Sequence, residues 1–249
     1  MEKTDYFSWF LLGKVYLFGT SEFSTAVDLD EAVKALENAA KYASATAQQN
    51  DEARPLAAEI CFYLGLARFF KANDLLHTNP DNGGESKQYL EAAQQVFARS
   101  WQYSDQMLES KYNEARCKLL LGNADGALDD LETVIKINEE YAIKAAVDSD
   151  FAALGEKYST LILKLRTALI PNVLRRFDGY NALRTRYLSF GGALPQELVP
   201  LEAELQRWLD GNPQTESSKY VDLRRIERGI GECSAMIRAG LDHTLAKGA

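Results

Sequence analysis

Chemistry needs titratable or nucleophilic side chains held at fixed spacing, and this sequence offers few. There are two histidines, His77 in a polar stretch and His243 near the C-terminus. Neither has a second histidine or a cysteine at ligand spacing, so no metal site is expected. Cys61, Cys117 and Cys233 are far apart and odd in number, which rules out a disulfide framework. Each lies in an apolar helical context, so the expectation is three buried free thiols in a reducing compartment. The adjacent acids Asp129-Asp130 and Glu139-Glu140 lie on or beside a solvated helix. Neighbours in sequence do not share a helix face, so they make a poor acid–base couple. "GIGECS", around Gly229 and Gly231, is a fragment of a dinucleotide fingerprint. It sits inside a helical pattern, lacks the third glycine and follows no strand, so it reads as close helix packing. With no nucleophile elbow and no phosphate loop, the residues point to no catalysis and no cofactor.

The elements that would carry a function must therefore be read from composition and pattern. The 249 residues suffice for one large or two modest domains with a real core. A 46% hydrophobic and 26% charged composition is that of a soluble globular chain, and few glycines and prolines favour helix. The net charge of −8 argues against nucleic-acid binding. Glu2, Asp5 and Lys14 spoil any signal peptide, and no apolar run approaches the roughly 18 residues of a membrane span. A cytoplasmic location and no membrane contact are expected.

Repeated spacing is the strongest signal. In "WFLLGKVY", Trp9, Leu12, Gly13 and Tyr16 fit W-x2-L-G-x2-Y. "CFYLGLAR" places Cys61, Leu64, Gly65 and Arg68 in the same slots, and "KYNEARCK" has Ala115 in the glycine slot. The glycine marks a close approach of two helices, and the large residues fill the space around it. Partner helices follow. "DLDEAVKALENAAKYA" carries Ala32, Leu36 and Ala39, with Asp28 and Glu31 placed as a capping box. "ESKQYLEAAQQVFARSW" carries Ala92 and Val96, or equally Ala93 and Phe97. "LLLGNADGALDDLETVIKIN" turns at Gly122-Asn123 and carries Ala127, Leu131 and Val134.

These residues resemble the tetratricopeptide-repeat superfamily over about residues 5–147, and "AVDSDFAAL" is similar to the segment that closes such arrays. The resemblance implies an all-α solenoid of three hairpins. The slots Gly13, Gly65 and Ala115 are 52 and 50 positions apart, against about 34 in the usual unit. Long connections, "GTSEFSTAV", "ATAQQNDEARP" and "LLHTNPDNGGESK", are expected to hold the excess. The resemblance also implies a concave groove lined by the first helix of each hairpin. Its inward positions would be Phe7, Phe10, Lys14 and Leu17, then Glu59, Phe62, Leu66 and Phe69, then Glu109, Tyr112, Arg116 and Leu119. The lysine and asparagine of a chaperone-binding clamp are absent from these places. An apolar groove demands cover, either from the chain's own C-terminal helices or from an amphipathic partner helix.

After Asp150 the pattern changes. Leu161, Leu165, Leu169, Val173, Phe177 and Tyr180 mark a long helix that Pro171 should kink or split and Gly191-Gly192 should end. "PQELVPLEAELQRWLDG" reads as a short amphipathic helix, and the stretch from Ser218 to Leu245 as a last long one. This makes a C-terminal helical hairpin or bundle over 151–249, beside an array over 1–150. Charge divides at the same place, with net −11 before and +3 after. Arg166, Arg175, Arg176, Arg184 and Arg186 load the first long helix with positive charge. They form either a solvated face, or one set against the acidic array, or a docking surface for an acidic partner.

The functional expectation is a non-catalytic adaptor or regulatory subunit that binds a protein, as a helix or peptide, through the groove. The alternative is a structural subunit whose C-terminal helices form a homo-oligomer or fill its own groove.

Overall fold

Alanine, leucine and straight-chain polar residues dominate the first 150 positions, and they build long helices whose ends are set by short polar side chains. The computed structural model describes residues 5–19, 27–78, 83–192 and 220–248, with isolated positions between 196 and 207. Among these, every regular element is helical. The helices are α1 (Tyr6–Phe18), α2 (Leu29–Ala47), α3 (Arg54–Thr78), α4 (Gly83–Tyr103), α5 (Leu108–Leu120), α6 (Ala124–Ile137), α7 (Glu140–Val147), α8 (Gly155–Ser189) and α9 (Tyr220–Gly248). Short 3-10 turns occupy Asp51–Ala53 and Ser149–Leu154. No helix of the described residues is long and apolar enough to cross a membrane. The chain divides into two compact units, one of residues 1–141 and 145–154, the other of residues 142–144 and 155–249.

In the first unit, Asp28 caps α2 by accepting from the Asp30 and Glu31 amides at 3.1 and 3.0 Å. Asn123 caps α6 through the Gly126 amide at 2.9 Å, and Pro55 lies in the first turn of α3, where its missing donor costs nothing. The Asp28 amide meets the Tyr16 carbonyl, and Leu36 packs on Gly13, so α1 and α2 run antiparallel. Likewise Ser86 bonds the Ala72 carbonyl, while Ser100 bonds that of Ala58, which sets α4 antiparallel to α3. Helices α5 and α6 form a third pair around Gly122, whose φ of 86° only glycine adopts easily.

The glycine slots do what close packing requires. A Cβ at Gly13 would lie 2.5 Å from Leu36, and one at Gly65 would lie 2.5 Å from the Phe97 ring. Ala115 is fully buried. In α4 it is Ala93 and Phe97 that face the seam, which decides between the two registers open in the sequence.

Two of the three long connections, "ATAQQNDEARP" and "LLHTNPDNGGESK", are shorter than expected. α2, α3 and α4 are 19, 25 and 21 residues long, whereas α5 and α6 have 13 and 14. Helix absorbs much of the excess, because "ATA", "LLHT" and "GGES" contain no proline to stop propagation. Most of "GTSEFSTAV" lies outside the described residues. The third pair carries something else, an ionic quartet of two buried acids and two half-buried lysines. Lys111 lies 3.0 Å from Glu114 and 2.7 Å from Asp130, and Lys118 lies 2.8 and 2.5 Å from the same two acids. Asp130 is therefore interior rather than solvated, while its neighbour Asp129 is exposed.

In the second unit, α8 runs unbroken from Gly155 to Ser189 through Pro171, so the proline does not split it. Pro171 is exposed, and water can reach the carbonyl that its ring leaves unpaired. Gly191, with φ of 75°, follows the end of the helix. Glu227 of α9 accepts from Asn172 at 2.7 Å, and Gly240 meets the Tyr187 ring. Later positions of α8 thus meet later positions of α9, and the two helices are parallel. A C-terminal hairpin of these two is excluded, because parallel neighbours cannot be joined by a tight turn. The segment between them, including most of "PQELVPLEAELQRWLDG", lies outside the described residues. The shared core is Val173, Tyr180 and Tyr187 against Ile226, Ile230, Cys233, Ile237 and Leu241.

Candidate functional site

The residues expected to line a groove divide into two groups. Phe10, Leu17, Phe69 and Tyr112 are core residues, between 1 and 3% exposed, and offer no surface to a partner. This corrects their assignment as contact residues. Phe10 and Leu17 belong to the cluster that joins α1, α2 and α3. Phe69 lies beneath the Arg116 guanidinium, 4.5 Å from its ring centroid. Tyr112 is covered by the chain's own continuation. Phe151 meets its ring edge-on, Tyr141 lies against it, and its hydroxyl donates to Asp148 at 2.8 Å. Burial and the Asp148 carboxylate both push the Tyr112 phenol well above its ordinary range. Tyr141 is pushed the same way by burial and by Glu109.

Phe7 remains exposed at 52%, while Lys14, Phe62, Leu66 and Arg116 are half-buried. Lys14 bridges α1 and α3. Its ammonium lies 4.5 Å from the Tyr63 centroid, 5.1 Å from that of Phe10 and 3.8 Å from Glu59. Arg116 is tied into the first unit by Asp150 at 2.5 Å and Asp148 at 3.6 Å. Two further residues extend the apolar surface of α1: Leu11, 47% exposed, and Phe18, 54% exposed and edge-on to Tyr63 at 5.9 Å. Phe7, Leu11, Lys14 and Phe18 recur at steps of three and four, so they form one stripe. Phe62, Tyr63 and Leu66 of α3 lie half-buried, with Tyr63 reached by Phe10, Lys14 and Phe18. The spacing that placed Phe7 on a surface also applies to Leu11 and Phe18. The repeat pattern assigns neither of them an inward slot, so it does not single them out.

The arginines of α8 are not brought together. At 100° per residue, Arg166 and Arg184 fall on one side of the helix, Arg175 and Arg186 on the opposite side, and Arg176 between the two. Arg184 donates to Glu202 at 2.7 Å, Arg176 lies 3.4 Å from Glu227, and Arg175 bonds Asn172 at 2.8 Å. Arg186 reaches over Phe190, and Arg166 is half-buried. Much of this charge is spent on neighbours within the second unit.

The three cysteines are free and buried. Burial pushes the Cys61 thiol up to about 11 and the Cys117 thiol up to about 12, which leaves both inert at neutral pH. Among the described residues, no group of histidine, cysteine and acidic side chains is placed to hold a metal ion. No protein-family model matches the chain, and no curated protein and no solved structure matches it.

Proposed function

We propose that the chain is a non-catalytic protein-interaction module, a cytoplasmic adaptor or regulatory subunit, that binds an amphipathic helix or peptide on the surface of α1 and α3. The observation that carries the reading is the stripe Phe7, Leu11 and Phe18, large apolar side chains left about half exposed along one helix. The half-buried Phe62, Tyr63 and Leu66 widen it into an aromatic floor, and Lys14 adds one charge at its centre. A tetratricopeptide-like stacking of the three helix pairs belongs to the same proposal. It is supported by the glycine contacts and by links between successive first helices, Lys14 to Glu59 and Arg116 to Phe69.

The test is a photo-crosslinking residue at Leu11 in the full chain, with and without Phe7→Ser and Phe18→Ser. Central aromatics are worth roughly 2 kcal/mol each, so a captured polypeptide should be lost by about thirtyfold or more. Both side chains are exposed, so the melting temperature should hold. Capture that is indifferent to the two substitutions would defeat the proposal.

A second reading has an observation of its own. Leu163 and Leu174 of α8 are 57 and 37% exposed and eleven residues apart, hence on one side of the helix. This favours self-association through the second unit. Light scattering should then give a multiple of 27.8 kDa that Leu163→Glu reduces to the monomer.

A further inference from the structure

The first unit carries a concave site that belongs neither to the aromatic surface nor to any motif in the sequence. A cleft of about 490 Å³ lies between α2 and α4, with α3 beneath. Its polar wall is Glu37, Lys41 and Ser44 from α2, Arg68 from α3, and Gln95 and Arg99 from α4. Three cations and one carboxylate thus meet in a region whose net charge is −11. The carboxylate is already spent, because Arg68 donates to Glu37 at 2.7 Å. Arg68 is further fixed by a bond to the Ala92 carbonyl at 3.2 Å. Arg99 has no ion pair among the described residues, and the contact of Lys41 is the Tyr42 ring at 5.6 Å. The Ser44 hydroxyl is buried on one wall without a hydrogen bond of normal geometry, the Cys61 thiol beside it being a weak partner.

Two uncompensated cations in a concave wall focus a positive potential that the surrounding acidic surface would otherwise cancel. A guanidinium fork, an ammonium and an amide donate in several directions at once, which suits a group with two or three acceptor oxygens. The volume exceeds that of such a group alone, and the floor of the cleft is apolar, so an organic remainder fits beneath it.

We propose that this cleft binds the oxyanion of a small organic ligand, a phosphate or a carboxylate. Arg99 and Lys41 supply the charge, Arg68 holds the orientation, and Gln95 completes the hydrogen bonds. The inference does not depend on the α1–α3 surface.

The test uses the full chain, titrated with inorganic phosphate and, separately, with acetate. Ionic strength is held constant with chloride, and binding is followed by thermal melting and by the side-chain NMR signals of Arg99. The comparison protein carries Lys41→Gln and Arg99→Gln. Both residues are exposed, so its melting in chloride should match the parent. One of the two ions should raise the parent's melting temperature and shift the Arg99 signal, with at least tenfold weaker binding in the variant. A response to phosphate alone assigns a phosphorylated ligand, and one to acetate assigns a carboxylic acid. If neither ion acts beyond chloride, or if parent and variant respond alike, the cleft is not an anion site.

Discussion

The two units solve the same packing problem in opposite ways. In the first, helices follow one another antiparallel and meet at glycine or alanine, so that Leu36 and Phe97 press directly on backbone. In the second, α8 and α9 run parallel and meet through Tyr180, Tyr187, Ile230 and Ile237, with side chains supplying the thickness of the seam. Polar groups differ too. The Lys111–Glu114–Lys118–Asp130 quartet is closed and interior, whereas the Arg184–Glu202 pair of the second unit is more open to water. A seam built on backbone has no slack, while one built on long side chains can adjust. The first unit should therefore be the brittle one.

The largest expected effect is at the quartet. Asp130→Ala leaves both lysines short of a partner in a half-dry site and should cost about 3–4 kcal/mol in urea denaturation. Arg184→Ala, which removes only the more exposed partner of Glu202, should cost under about 1 kcal/mol. Equal losses would erase the contrast. Next comes Gly65→Leu, which drives a branched side chain into Phe97 and should cost roughly 3 kcal/mol by overpacking. An unchanged melting temperature would show that the seam can open after all.

Alkali probes the interior of the first unit without mutation. Cys61 stays protonated when folded to about pH 11, against an ordinary value of 9.0. The unfolded chain therefore loses that proton first, and stability falls as pH rises from 9 to 11. The loss is on the order of 2 kcal/mol from this thiol, and Cys117 adds to it in the same direction. Lys118 acts with the same sign further up. Burial opposes its charge, but bonds to Asp130 and Glu114 outweigh it and hold its proton above the usual 10.5. Chemical denaturation at pH 8 and pH 11, with Cys61→Ala as reference, measures the slope.

The smallest effect belongs to the second seam. A methyl group at Gly240 would come within 2.9 Å of the Tyr187 hydroxyl, the movable end of a side chain. Gly240→Ala also gains helix propensity, so the net change should stay within about 1 kcal/mol. A loss as large as that of Gly65→Leu would mean that the second seam is equally rigid.

What could be read from the sequence follows this division. Gly13, Gly65, Asp28 and Gly191 are legible because each answers a local demand: a close approach, a cap or a helix end. The all-helical class follows from periodicity. The quartet left a trace, since Lys111, Glu114 and Lys118 are spaced three and four apart. Nothing local shows, however, that Asp130 of another helix would close it. The surface residues are half legible. A repeat slot says which way a side chain points but not what later chain will cover it, and residues 141–151 bury Tyr112. The direction of α9 is not legible at all, because it depends on a connecting path rather than on either helix. The cleft at Arg99 gave no signal, as its six polar residues come from three helices over 62 positions.

The parallel course of α8 and α9 also bears on how the chain assembles. Contacts at the first seam close loops of 23 and 32 residues, Gly13 to Leu36 and Gly65 to Phe97. Those at the second close 53 to 55, Tyr187 to Gly240 and Asn172 to Glu227. Loop-closure entropy rises only logarithmically, so the added cost is about 0.5–0.7 kcal/mol. That is enough to slow condensation of the second unit by roughly threefold relative to one helix pair of the first. The amino-terminal pairs can consolidate while the carboxy-terminal pair is still searching. During that interval the seam side chains Val173, Tyr180, Ile230 and Ile237 stand open to water, which makes this pair the aggregation-prone part of the folding chain.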